Sequence, residues 1–479
     1  MGIHSEVNVP GAFNNAVLEG FLMDDPGMSL SEKLAGFVAG TDFDDIPANI
    51  ASYTKERVLD IMAACIAGSR GWEYGAELVK GLKDVAMGFS TVIGRSERLS
   101  CPAAAMVNSA FGHAVELDDG HKNAGVHAGT VVVPAALAVG EALRSTGKDV
   151  LASIVLGYDI VYRIARSVNP AQIKKGFHPS ATCGTFGAAA AAASLLGLDD
   201  KQTAAALGLS GMQAAGLMEA TLSGQASKCV MVGHAAFAGI VSAWLAKEGL
   251  VGPRSILEGQ YGIFNTMSEE VDCVSAAGDL GKRFEIVDTY TKLYPTCRHI
   301  HPVIESIAAL KEECGFSAED VSRVAVGTHE VAMNLTGHIY EPEDSARARF
   351  SIPFISAVVL REGSVGMRHL EPRYLSDPDL KKTARLVEVT VDEEVNRMFP
   401  GKRGARVEVF LKDGTRLEKT IYVLKGSPEM PVGWDIICQK FFECASGLMP
   451  EKNIFRLVEA IERIEELEDV SRLMELLVN

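Results

Sequence analysis

The sequence predicts a mainly α protein with an inserted α+β domain. Three observations lead there. From about residue 28 to about residue 285, segment after segment repeats apolar residues at three- and four-residue spacing. Between residues 288 and 428 that period gives way to alternation at period two, with helical stretches between. Beyond residue 428 the helical period returns. A chain of 479 residues exceeds what one compact core usually reaches. The expected organisation is therefore an N-terminal lead-in (1–27), a helical domain begun at 28–287, an α+β domain at 288–428, and completion of the helical domain by 429–479.

Taken in order, the first helix opens at "SLSEKLAGFVAG", where Ser29 followed by Glu32 makes a capping-box pattern. "IPANIASYTKERVLDIMAACIAGS" and "GKDVLASIVLGYDIVYRIARSV" carry amphipathic helical spacing. "GTFGAAAAAASLLGL", "DKQTAAALGLSGMQAAGLM" and "VGHAAFAGIVSAWLAKEGL" are rich in Ala and Gly, which lets helix axes approach closely and marks buried helices. "VSRVAVGTHEV", "RLVEVTVDEEV" and "ARVEVFLKDGTRLEKTIYV" read as strands, the last folded at Asp413–Gly414 into a hairpin. "HPVIESIAALKEEC" and "IPFISAVVLREG" read as the helices between them. The C-terminal "PEKNIFRLVEAIERIEELEDVSRLMELLV" is amphipathic and is expected to pack back on the first helical block.

Composition narrows the function. Hydrophobic residues at 47% suffice for a large core, so the chain is globular. A net charge of −16 without a basic stripe excludes a nucleic-acid surface, though a few cations can still line a pocket for a small anion. The opening "MGIHSEVNVPG" lacks a signal-peptide pattern, and Glu6 stands where myristoylation needs Ser or Thr. No uninterrupted apolar run of membrane-spanning length is read, and a cytoplasmic location is expected. The nine cysteines are scattered without CxxC pairs, so zinc ribbons and iron–sulfur frameworks find no support.

Four segments concentrate chemistry. "VELDDGHKNAGVHAGTVVVP" brings Glu116, Asp118, Asp119, His121 and His127 together ahead of an apolar helix. The acids could cap that helix; Asp118, His121 and His127 could ligate a metal; or a histidine near neutral pH could move protons with carboxylates orienting it. His178 precedes a buried Ala-rich helix, where it either satisfies a helix end or joins the helix N-terminus in holding a carboxylate. Lys228 enters a small-residue environment, either snorkelling to water or meeting an anion. Lys292, Arg298, His299 and His301 crowd the expected domain junction, as a solvated basic loop or a carboxylate-recognition cluster. Cys183, Cys229 and Cys297 beside these residues read as buried fillers rather than catalytic thiols.

Together these segments resemble the MmgE/PrpD family over roughly residues 28–475. "ELDDGHKNAGVHAGTVVVPAALAVGE" looks like the family's "DDTH" followed by "HP(G/S)" and an apolar helix; "GFHPSATCGTFGAAAAAASLLGL", "KLYPTCRHIHPVIESI" and "ARFSIPFISAVVLREG" match further family segments in the same order. The resemblance implies a helical domain with a lid-like α+β insertion, an active site in the cleft between them, a homodimer, and no metal or organic cofactor. It carries Asp118, His127, His178, Lys228, Lys292 and His301 onto pocket positions, and puts Glu116 where the family's decarboxylase has an aspartate. Gly120 replaces the Thr of "DDTH" and Ala128 the Pro after His127. Phe354 and Cys297 stand where the decarboxylase has a lid tyrosine and histidine.

The expected function is a cofactor-independent lyase on a small di- or tricarboxylate. Dehydration of the 2-methylcitrate or citrate type, which would place the chain in propionate metabolism, ranks ahead of cis-aconitate-type decarboxylation. The rivals are an epimerase or racemase acting on a dicarboxylate such as iminodisuccinate, and a non-catalytic carboxylate-binding dimer. His127 and His178 are the expected acid–base pair, with Asp118 orienting and Lys228 among the catalytic groups. Glu116, His121, Lys292, Arg298 and His301 are the expected substrate-binding set.

Overall fold

The computed structural model describes residues 27–478, so the expected lead-in, apart from Gly27, lies outside the described residues. The longer helices of the first block are α1 (Leu30–Ala39), α2 (Ala48–Gly71), α3 (Cys101–Ala114), α4 (Gly129–Leu143), α5 (Gly147–Val168), α6 (Pro179–Leu195), α7 (Asp200–Gly211) and α8 (Cys229–Lys247). Ser29 starts α1 with the expected capping box: its Oγ accepts from the Glu32 N–H, and the Glu32 carboxylate accepts from the Ser29 N–H. Thr146 and Asp149 repeat the device at α5.

The small residues do what their composition implies. α6 packs against α8, α5 and α4, and Ala188 to Ala193 are fully buried. In α2, Gly68 lies against the backbone of Phe111 in α3, and a Cβ there would overlap the Phe111 carbonyl. Gly68→Ala should therefore force the two helices apart and cost about 1–3 kcal/mol, read as a lower urea midpoint. One stretch differs from expectation. Among the described residues, 226–247 is long and apolar enough to cross a membrane by length and composition. In the fold, Val232, Ala235, Ala236, Ile240 and Ala243 of α8 are fully buried against neighbouring helices, so this apolarity serves the core.

The helical block also carries two short antiparallel ribbons that helical periodicity hides. One pairs β1 (Met87–Thr91) with β2 (Arg98–Leu99), and the other pairs β3 (Gly120–His121) with β4 (Thr289–Tyr290). The α+β domain is a four-stranded sheet of β5 (Val321–Thr328), β6 (Val387–Val391), β7 (Ala405–Leu411) and β8 (Arg416–Ile421), in the order β6-β5-β7-β8. β5 and β6 are parallel; β7 is antiparallel to both β5 and β8. The β7–β8 turn has Gly414 at φ +93°, a left-handed position that suits glycine, and the Asp413 side chain accepts the Thr415 N–H. Val324, Val326, Val387, Val407 and Val409 turn inward beneath α9 (His301–Cys314) and α10 (Ile352–Glu362).

The chain then returns. α11 (Trp434–Ala445) and α12 (Glu451–Glu462) join the first core, which combines residues 30–286 with 437–477; a second core holds residues 297–409. On α11, the buried Lys440 ammonium donates to Asp60 Oδ1 and to the Leu117 carbonyl, each at 2.6 Å. The C-terminal segment thus props the loop that carries the first chemistry-bearing stretch.

Candidate active site

That loop leaves α3 abruptly. His113 occupies the last turn of α3, Val115 closes the helix, and Glu116 takes φ +54°. A glutamate in the left-handed region is strained, a cost that clusters at functional sites. Its buried carboxylate is held from two sides. Lys228, in the turn before α8, donates to Oε1, and Lys292, just past β4, donates to Oε2 at 2.8 Å. Burial opposes ionisation of Glu116, but the two ammonium groups hold its carboxyl well below the usual range. Lys292 is 1% exposed; burial opposes its charge, and Glu116 with Asp118 at 3.5 Å holds it above its ordinary value. Lys228 also lies 5.0 Å from the Phe350 ring.

The two aspartates separate into the two roles that the loop suggested. Asp119 caps: Oδ1 accepts the Gly129 N–H at the start of α4, and Oδ2 accepts the Tyr158 hydroxyl at 2.5 Å. Burial pushes this carboxyl up to about 7. Asp118 instead faces imidazoles. Its Oδ2 lies 2.7 Å from His113 Nδ1 and 3.4 Å from His127 Nδ1. Despite burial, His127, His113 and Lys292 hold it ionised below the usual range.

Three imidazoles therefore share one site. The ring centroid of His113 is 5.3 Å from that of His127 and 5.7 Å from that of His178. His127 hangs from the N-terminus of α6 through its backbone N–H, which donates to Ser180 Oγ at 3.0 Å. His178 occupies the cap position of α6 without using its side chain as a cap. Burial lowers both rings, His127 to about 4 and His178 well below its ordinary value, so both rest neutral. His127 Nδ1 lies 2.5 Å from the Asp119 carbonyl oxygen, which can only accept. The proton of neutral His127 is therefore on Nδ1, and Nε2 offers a lone pair. His127 also keeps 21% of its side chain exposed, whereas His113 is buried.

His301, at the start of α9, has the opposite tautomer. Its Nδ1 lies 3.0 Å from a guanidinium nitrogen of Arg298, which can only donate, so the ring proton is on Nε2. Arg298 also donates to the carbonyls of Thr291 and Lys425, and burial lowers it to about 10. Burial, Arg298 and Lys292 lower His301 well below its ordinary value. Five buried imidazole nitrogens have no hydrogen-bond partner among the described residues, and three of them, His113 Nε2, His178 Nδ1 and His301 Nε2, belong to this group. Buried polar groups are nearly always paired, so such orphans mark where a ligand's oxygens can dock.

The structure brings together Glu116, Asp118, His127, His178, Lys228 and Lys292, with Arg298 and His301 as an adjoining pair. It does not bring in His121. That ring packs on Tyr162 at 4.6 Å, and its Nδ1 accepts the N–H groups of Asn123 and Ala124. The cause is the two-residue strand β3, which turns neighbouring side chains to opposite faces. Asp118, His121 and His127 therefore do not converge on a metal. His121, Glu285 and Asp288 do place candidate ligand atoms within 4.8 Å of one another. However, the His121 proton sits on Nε2, and Arg166 and Arg283 already pair with the two carboxylates. His299 turns to His329 and Phe399. The thiols of Cys183 and Cys229 are pushed up by burial to about 12, and that of Cys297 is raised too, which suits fillers rather than nucleophiles.

Two further residues were outside the sequence expectation. His113 completes the imidazole group. Arg349 of the α+β domain is buried and donates to the Val115 carbonyl at 3.2 Å, pinning that domain to the backbone beside Glu116.

Comparison with known proteins agrees with this architecture. The MmgE/PrpD N-terminal domain model matches residues 32–276, and the MmgE/PrpD C-terminal domain model matches residues 294–464. The chain is 28% identical over 476 residues to a cis-aconitate decarboxylase-like protein, oryM, of Aspergillus oryzae, covering 94% of this chain and 98% of that protein. It is 28% identical over 459 residues to a cis-aconitate decarboxylase of Aspergillus terreus, covering 91% and 93%. It is 26% identical over 464 residues to the cis-aconitate decarboxylase of Mus musculus, covering 94% and 93%.

Proposed function

Since the chain belongs to the MmgE/PrpD family, we propose that it is a lyase on a small di- or tricarboxylate, with elimination of water from a citrate-type hydroxy acid as the leading reaction. The observation that carries this reading is neutral His127, with its Nε2 lone pair set free by the Nδ1–H bond to Asp119, beside two lysines that hold a carboxylate.

In this reading Lys228 and Lys292 hold substrate carboxylates, and the proton on the carbon next to one of them becomes acidic. His127 Nε2 takes that proton. The C–H electron pair forms the new double bond, the C–O bond breaks, and the departing hydroxide takes a proton from a neighbouring imidazolium. His113 is placed for this, because the Asp118 carboxylate at its Nδ1 offsets the charge of an imidazolium. His178 stands beside it. The chain itself supplies each base, acid and cation that this elimination uses.

Decarboxylation is the second reading, favoured by the names of the relatives. There the C–C bond to a carboxylate breaks, carbon dioxide leaves, and an imidazolium protonates the carbon. Against it, Phe354 and Cys297 occupy the lid positions where the resemblance puts a tyrosine and a histidine in the decarboxylase, and neither offers a comparable proton. The test is incubation with 2-methylcitrate, citrate, cis-aconitate and iminodisuccinate. A new conjugated double bond in the absorbance is the expected result. Released carbon dioxide would put decarboxylation first, and deuterium exchange without net conversion would put epimerisation first. Turnover of none would remove the lyase reading for this panel.

A further inference from the structure

We propose that Tyr290 is a substrate-binding residue whose hydroxyl donates to a substrate carboxylate at the inner end of a basic cavity between the two domains. This rests on the carboxylate-lyase reading above. Strands β3 and β4 pair so that Gly120 stands opposite Tyr290, and opposite residues of an antiparallel pair share a face. Gly120 has no side chain there, and the Tyr290 phenol fills the space. A Cβ on residue 120 would lie 2.5 Å from the Tyr290 hydroxyl oxygen, 2.7 Å from Cζ and 3.2 Å from His127 Nδ1. The glycine thereby lets the hydroxyl cross the ribbon to the edge of His127.

A ring laid over a cross-strand glycine also stabilises a short ribbon, and for that the ring alone is enough. The surroundings of the hydroxyl go further. Among the described residues, no group hydrogen-bonds to it. The Arg298 guanidinium lies 4.9 Å from the ring centroid. Tyr290 and Arg298 line a cavity of about 280 Å³ with Lys122, Lys402 and Arg403, against the single carboxylate of Glu429. Tyr290 is 6% exposed, and it is one of the residues that line this cavity. A buried hydroxyl beside His127, on a residue that lines a basic cavity, suits a carboxylate oxygen and not a cation.

The test separates hydroxyl from ring. Tyr290→Phe keeps the ring over Gly120 and removes only the hydroxyl. On whichever acid of the panel the wild type turns over, the expected result is a KM raised about tenfold with kcat nearly unchanged, as for a contact made equally in ground and transition states. A KM for Tyr290→Phe within about twofold of wild type overturns the proposal. Calorimetric binding of the same acids keeps the two readings apart. Binding without turnover by wild type sinks the lyase reading alone, and the tenfold loss of affinity in Tyr290→Phe then decides the proposal. Binding of none of the acids sinks both.

Discussion

Replacing His127 by asparagine should lower kcat by about two to four orders of magnitude while leaving the urea midpoint close to wild type. Asparagine is the informative choice. Its amide N–H can still donate to the Asp119 carbonyl in place of Nδ1, so the loop keeps its anchor while the lone pair at Nε2 disappears. The pH dependence follows from the neutral resting state. Burial lowers the free ring to about 4. Below that pH it is protonated and cannot accept a proton; above it the base is competent. The kcat/KM profile should therefore show a rising limb near pH 4. A bound polyanion favours the imidazolium, so the rising limb of kcat, which reports the substrate complex, should lie at higher pH. A kcat/KM with no such limb would remove His127 as the base.

The sequence made strongly periodic elements legible and left contacts between distant segments hidden. "GKDVLASIVLGYDIVYRIARSV" coincides with α5, and "HPVIESIAALKEEC" with α9, because their apolar periods and end signals agree. The β7–β8 hairpin was equally readable from Asp413–Gly414. Ribbons two residues wide leave no periodic trace, and β3–β4 is the one that carries the site. Its absence from the sequence reading explains two results. His121 looked like a partner of His127 but faces Tyr162, and Tyr290 gave no signal because its partner Gly120 is remote in sequence. Asp118 and Asp119 are indistinguishable by type; only the fold gives one to the imidazoles and the other to the α4 terminus. His113 could have been found. It lies five residues before Asp118, a short reach from a helix end, but a lone histidine within an apolar helical run reads as core.

The site's charges explain why these segments hold together without substrate. Glu116 and Asp118 lie among Lys228 and Lys292, so two buried acids face one buried and one partly buried cation drawn from different parts of the chain. Lys292 is the joint, since it contacts both acids. A substrate carboxylate must therefore compete with Glu116 for the lysines or bridge them from the other side. Glu116, fixed at φ +54°, is held where it can aim both ammonium groups.

Lys292→Met tests that joint and should have the largest effect on stability. Methionine matches the stem of the side chain but leaves Asp118 and one oxygen of Glu116 without their cation. Removing one member of a buried ion pair costs about 3–5 kcal/mol, much of it the penalty of the charge left behind. Urea unfolding near neutral pH should show a loss of that order, and kcat/KM should fall with it as a substrate carboxylate loses its partner. The pH dependence gives the sign. Glu116 and Asp118 are held below their ordinary values by their partners, so their contribution to stability is present above the unfolded carboxylate range of about 4 and is lost as pH falls below it through the depressed folded values. In Lys292→Met those depressed values move upward. The deficit relative to wild type should therefore be greatest near neutrality and shrink as the acids protonate. A single variant that loses less than about 1 kcal/mol at neutral pH would mean that water already screens these charges. The lysines would then be surface cations that grip substrate without being bound to Glu116 beforehand.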